Sequence, residues 1–206
     1  TGTRSTWSGS GTVVSVDFNG VNVQADRITT SGDVLVASDY IEIDPSVSYE
    51  VSLWMKDDVA VGTRYLGIYV YDKTKSTLSV TPVTTAGVKQ SATSNFYFWN
   101  GRVGNAWKQY TGYMFAHDTA RGWGVGQNVA INCILPPNAR YVRLRYLNYY
   151  NAGTTVNAWF YNPKIVPVGA TMLDADGTPI RALGNQIWLD SIGLKTKNAA
   201  FKNVMM

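Results

Sequence analysis

Chemistry-bearing residues are scarce in this 206-residue chain. It has one Cys, one His and two Glu, and only 16% of its residues are charged, against about 25% in an average protein. A single Cys excludes an internal disulfide framework and a thiolate zinc site. A single His excludes multi-histidine metal centres and histidine relays. No apolar run approaches the length of a membrane-spanning helix, so no membrane insertion is expected. The chain opens on Thr1 with no secretory signal, as expected of a piece excised from a longer protein.

Apolar and aromatic residues, in contrast, are plentiful. Hydrophobic residues make up 45% of the chain and aromatics 13%, with seven Trp, thirteen Tyr and six Phe. That is too much apolar material for a disordered chain and enough for one domain with a full core. The net charge of +4 comes from basic residues scattered along the sequence. A nucleic-acid binder concentrates its charge in a stripe or patch, so nucleic acid is not the expected partner. A mild positive excess suits an acidic polysaccharide equally well.

The local patterns favour strands. In Tyr49-Glu-Val-Ser-Leu-Trp-Met-Lys56, Tyr49, Val51, Leu53 and Met55 take one face, and Glu50, Ser52, Trp54 and Lys56 the other. Such alternation marks a strand with one buried face. Segment 65–71 sets Leu66, Ile68 and Val70 against three tyrosines, and segment 141–146 sets Val142, Leu144 and Tyr146 against Tyr141, Arg143 and Arg145. Further strands are expected at 12–18, 34–43, 95–99, 107–115, 129–135 and 156–167. Asn100-Gly101 is a hairpin signal after 96–99, and Asp44-Pro45 and Pro136-Pro137-Asn138 mark loops. Cys133 shares a face with Ile131 and Leu135 and reads as a small core residue. Many short strands with regular turns predict an all-β sandwich or barrel. Composition shifts at Pro167-Val-Gly169, so residues 1–168 are expected to form the sandwich and 169–206 a C-terminal extension, an arm for assembly or the start of a stalk.

The titratable residues form no persuasive catalytic set. Glu42 and Asp44 share a strand face about 6.6 Å apart, a spacing that glycoside hydrolysis permits, but Asp44-Pro45 has a turn role. His117-Asp118 is the only His–carboxylate neighbour pair and lies in a loop. Gly122-Trp-Gly-Val-Gly126 lacks the helix that a phosphate loop requires. Asp174-Ala-Asp-Gly177 lacks the third ligand and distal Glu of a calcium loop. No catalytic residue, metal or cofactor is therefore expected. The outward residues carry more signal. Trp54, Arg143 and Arg145 lie opposite the core positions of their own strands. An indole covers an apolar pyranose face, and guanidinium groups donate to hydroxyls or pair with carboxylates. Trp99, Trp123, Tyr149 and Tyr150, with Tyr97, stand near turns, where a sandwich displays its binding loops.

Five segments follow one another in a suggestive order: Tyr40-Ile-Glu-Ile-Asp-Pro45, segment 49–56, Trp107-Lys-Gln-Tyr-Thr-Gly112, Tyr141-Val-Arg-Leu-Arg145 and Trp159-Phe-Tyr-Asn-Pro-Lys164. Over residues 34–168 this order resembles the jelly-roll carbohydrate-binding domains of bacteriophage tail fibres and tailspikes, which are similar to galactose-binding-like carbohydrate-binding modules. The resemblance implies a jelly-roll β-sandwich. It also implies a non-catalytic domain that binds a bacterial surface polysaccharide as host receptor, within a homotrimeric fibre of the virion. It places sheet-face binding positions on Trp54, Arg143 and Arg145. Many such modules carry an acidic residue near a structural calcium in the last strand. This chain has Tyr161 there, so calcium is not expected. Two other readings of the residues stay open: a structural domain that packs a trimer, and an accessory domain of a depolymerase whose catalysis lies elsewhere.

Overall fold

The computed structural model describes residues 11–84, 87–118, 132–149 and 153–168, together with the backbone of four short strands between 172 and 195. All regular elements among them are strands. Seven form one sheet in the order β1 (Thr12–Phe18), β2 (Val21–Thr30), β13 (Val156–Val168), β5 (Ser48–Asp57), β10 (Lys108–Phe115), β11 (Asn132–Ile134) and β8 (Thr81–Val83). The other sheet runs β3 (Val34–Ala37), β12 (Tyr141–Tyr149), β6 (Thr63–Tyr71) and β7 (Thr77–Leu78). In it β4 (Ile41–Glu42) pairs with β12, and β9 (Phe96–Gly101) with β6. The pairing is antiparallel except for β10 with β11. From β1 to β13 the chain changes sheets eight times, at β2/β3, β4/β5, β5/β6, β7/β8, β8/β9, β9/β10, β11/β12 and β12/β13. The result is a β-sandwich of jelly-roll type. Two short ribbons follow in the chain, β14 (Met172–Leu173) with β15 (Pro179–Ile180), and β16 (Trp188–Asp190) with β17 (Gly193–Lys195).

Alternation explains the core. Val51, Leu53 and Met55 of β5 face Leu66, Ile68 and Val70 of β6 and Val142, Leu144 and Tyr146 of β12, all buried. Each such side chain stabilises the sandwich by about 1.5–3 kcal/mol. Cys133 is fully buried within this core, and burial pushes its thiol well up. Phe98 of β9 reaches across to β10 at Gly112, where any Cβ would lie 2.3 Å from its ring.

One polar cross-tie interrupts the apolar interior. Arg64 of β6 and Asp57 of β5 are both buried and meet across the two sheets at 3.0 Å. Burial raises the Asp57 carboxyl to about 7, against the pull of the Arg64 charge.

Two expectations change. Segment 34–43 is two short strands, β3 and β4, not one. Asn100-Gly101 does not turn a hairpin: it ends β9, and the next strand, β10, belongs to the other sheet. The Asn-Gly hairpin is instead Asn19-Gly20 between β1 and β2, where both residues have positive φ (52° and 87°), as a type I′ turn requires.

Candidate functional site: a tyrosine–arginine track on the six-stranded sheet

The outer face of the six-stranded sheet is built by the alternate residues of β6 and β12. Register pairs Tyr71 with Tyr141, Tyr69 with Arg143, Gly67 with Arg145, and Tyr65 with Leu147. Their neighbours in sequence fill the core, so these side chains must point away from it. Tyr97 of β9 joins the same face. Gly67 makes that possible: a Cβ there would lie 2.2 Å from the Phe96 carbonyl oxygen and 2.7 Å from the Tyr97 ring.

Arg145 lies at the middle of this face and is only 1% exposed. Its guanidinium carbon sits 3.8 Å from the Tyr97 ring centre and 4.2 Å from that of Tyr69. It also donates to the Asn95 side-chain oxygen. The planar cation is thus stacked among two rings, a geometry that an ammonium cannot reproduce. Beyond Tyr69 the rings continue to Tyr71 at 6.4 Å, to Tyr40 at 4.9 Å from Tyr71, and to Tyr141 at 6.0 Å from Tyr40. Beyond Tyr97 they continue to Tyr65 at 4.9 Å and then to Tyr149 at 6.4 Å. Tyr65 to Tyr71 alone spans about 20 Å of extended strand.

At the Tyr40 end, Arg143 lies over the Tyr40 ring at 5.2 Å and donates Nε to the Ser38 carbonyl oxygen. Lys75, from the turn between β6 and β7, approaches the same ring at 4.7 Å. Burial raises the phenols of Tyr71 and Tyr97, against opposing arginine charges. Both phenols therefore keep their protons at neutral pH and can donate. The track combines ring faces for apolar surface with hydroxyl and guanidinium donors for polar groups.

The residues expected to bind together from the sequence are divided by this topology. Arg143, Arg145 and Tyr149 do share the track. Trp54 does not: it belongs to β5, in the opposite sheet, and points out of the other side of the sandwich. There Phe18, beside the β1–β2 turn, meets its ring edge-on at 5.0 Å and the Tyr161 ring at 4.9 Å. Trp107 ties the same hairpin down, its Nε1–H donating to the Asp17 carbonyl oxygen at 2.7 Å. Lys56 lies between the Trp107 and Trp159 rings at 5.0 and 5.2 Å. Trp54 is therefore part of a packed cluster under the hairpin. Trp99 is also placed differently from the expectation. It is 8% exposed, part of the core, and packed 4.1 Å from Tyr110. The bulge in β9 opposite Leu66 and Gly67 shifts the register there, which turns Trp99 inward along with Phe98. Arg145 is held beneath the rings and acts through them. Trp123 and Tyr150, the glycine-rich segment 122–126 and Asp174–Gly177 lie outside the described residues.

Tyr40, Tyr65, Tyr69 and Tyr71 also line the track, outside the set expected from the sequence. The signal was present, because the alternation of 65–71 already sets three tyrosines opposite the core. The carboxylates considered for hydrolysis are occupied. Glu42 pairs with Arg140. Asp44 accepts from the Ser46 N–H and hydroxyl, which hold it below its usual range. Among the described residues, no three His, Cys, Asp or Glu side chains converge to hold a metal ion.

No protein-family model and no curated protein matches the chain. Solved structures do. The enzymatically active domain of tailspike protein 4 of bacteriophage CBA120 is similar over 80% of this chain and 20% of its own, at 14% identity and a TM-score of 0.46. An exo-β-agarase is similar over 80% of this chain and 23% of its own, at 10% identity and a TM-score of 0.49. The family 11 carbohydrate-binding module of a cellulosomal cellulase of Clostridium thermocellum is similar over 79% of this chain and 88% of its own, at 9% identity and a TM-score of 0.44. The chain thus spans about a fifth of the length of the tailspike and agarase chains. None of these likenesses assigns a function to it.

Proposed function

We propose that this chain is a non-catalytic carbohydrate-binding domain whose ligand lies along the tyrosine–arginine track of the six-stranded sheet. One observation carries the reading. A guanidinium group is buried between Tyr69 and Tyr97 on a sheet face where solvated polar side chains are the ordinary choice. The arginine fixes two rings whose remaining faces and hydroxyls match the alternating apolar and polar surface of a saccharide. Preorganised rings reduce the ordering cost that a weak ligand must offset.

The finer reading is a host-receptor-binding domain of a phage tail fibre or tailspike, recognising a bacterial surface glycan as part of a homotrimer. It is supported by the order of the strand segments noted in the sequence. The energetics are compatible with it. A millimolar site is worth about 4 kcal/mol, and several linked copies raise avidity by about 10²–10⁴, so a shallow track suffices.

Affinity electrophoresis against bacterial surface polysaccharides tests the site. Tyr69→Ala with Tyr97→Ala is expected to abolish retardation in the gel, and Trp54→Ala to leave it intact. Retained binding in the tyrosine variant, with loss in the tryptophan variant, would move the site to the other sheet. Shortening of the polymer during incubation would overturn the non-catalytic reading. Light scattering of the full chain that shows a monomer would remove the trimer.

A further inference from the structure

The track carries positive charge in three places, at Arg145, Arg143 and Lys75. Arg145 is the decisive one. It is buried, its Nε meets no hydrogen-bond acceptor, and its guanidinium meets a neutral amide and two neutral rings. Neither the Arg64–Asp57 nor the Arg140–Glu42 ion pair includes it. A buried cation is ordinarily paired, because leaving it without an anion forfeits hydration with no Coulombic return. Ring quadrupoles offset part of that loss but leave the net charge in place. Arg143 and Lys75 add two more cations around Tyr40, at the end of the same track.

The acids at that end are largely engaged elsewhere. Glu42 holds Arg140. Asp72 accepts from the Thr74 and Ser76 N–H groups and the Thr74 hydroxyl. Asp39, beside Tyr40, is exposed, where water and salt screen it. Asp72 keeps its charge in that turn, so the positive field is strongest at the middle of the track, where the low-dielectric setting of Arg145 reinforces it.

Resting on the glycan-binding reading above, the geometry points to an anionic glycan as the ligand, one whose sugars carry carboxylate or phosphate groups. The rings take the sugar faces, and the anion supplies the charge that the track lacks. Arg145 acts as a positioning residue that also contributes its field. Arg143 and Lys75 set the preference at the Tyr40 end.

The test uses the intact chain and three matched pairs: polygalacturonate and its carboxyl-reduced galactan, polysialic acid and its carboxyl-reduced form, and a phosphomannan and its dephosphorylated mannan. Calorimetry is expected to show at least one acidic polymer binding about tenfold or more tightly than its neutral partner. The gap should shrink as salt rises from about 50 to about 500 mM, over which the Debye length falls several-fold. Arg143→Gln with Lys75→Gln, both near the surface, should narrow the gap to about twofold while circular dichroism stays unchanged. The pair that responds tells carboxylate from phosphate. Equal binding within every pair, or tighter binding of the neutral members, overturns the anionic ligand and leaves glycan binding standing. The same holds if only other neutral glycans bind. If no glycan of either kind binds, the carbohydrate-binding reading falls with it.

Discussion

Arg145 shows how one side chain converts a strand position into part of a site. On β12 it occupies an outward position, yet it is 1% exposed because Tyr69 and Tyr97 close over it. Its value lies in being planar as well as charged. Lysine would keep the charge and lose the stacking that fixes both rings. Arg145→Lys is therefore expected to weaken glycan binding about tenfold, which corresponds to about 1.4 kcal/mol. The urea midpoint should fall as well, because a buried ammonium loses both ring contacts and stays without hydration. Equal affinity in wild type and variant, measured by calorimetry, would show that the rings hold themselves in place. Gly67 works from the opposite direction. By lacking a Cβ it lets β9 and the Tyr97 ring settle onto β6.

At the scale of elements, the β1–β2 hairpin is the part whose role the sequence pattern obscured. In β2 the apolar phase changes within the strand. Val21, Val23 and Ala25 lie on the side that carries Arg27, whereas buried Ile28 lies on the other. A strand that covers the outer face at one end and enters the core at the other must switch faces. A simple alternation count over 21–30 therefore does not mark this strand. The 12–18 strand was legible because it keeps one phase. The hairpin brings Phe18 against Trp54, Tyr161 and Trp107. Phe18→Ala is expected to destabilise the fold by about 2 kcal/mol, a discount on a fully buried Phe because Phe18 is half-buried. Tryptophan emission should shift to the red as the indoles meet water. Glycan affinity should not change, because the track is on the opposite sheet. A loss of affinity in this variant would place the ligand under the hairpin instead.

At the scale of the whole molecule, the Asp57–Arg64 tie couples the sandwich to pH. Both groups are buried, and Arg64 brings Tyr146 into the same network, with Asn148 its register partner on β12 and Tyr110 close enough for its phenol to sense Asp57. The folded Asp57 carboxyl titrates at about 7, above its unfolded value of 3.8. Between those values the folded state holds a proton that the unfolded chain releases. Stability from this group is therefore greatest at low pH and is lost as pH rises toward 7. Denaturation in urea is expected to show a fold more stable at pH 5 than at pH 8 by about 2 kcal/mol. Asp57→Asn should flatten that difference. A slope of the opposite sign would mean that the Arg64 charge outweighs burial and keeps the carboxylate ionised.

Local alternation was enough to read an all-β chain, most of its long strands and which residues of each strand face the core. It also separated Tyr65, Tyr69 and Tyr71 from Leu66, Ile68 and Val70, because a strand's two faces are set by its own pleat. Sheet membership is a different kind of information. Trp54 and Arg143 have the same outward status on their own strands, and nothing within either segment tells that β5 and β12 belong to different sheets. That follows from long-range pairing, fixed by how the complete set of strands buries its inner faces. Only the tertiary structure moved Trp54 under a hairpin and Trp99 into the core, and only it placed a charged guanidinium beneath two tyrosine rings.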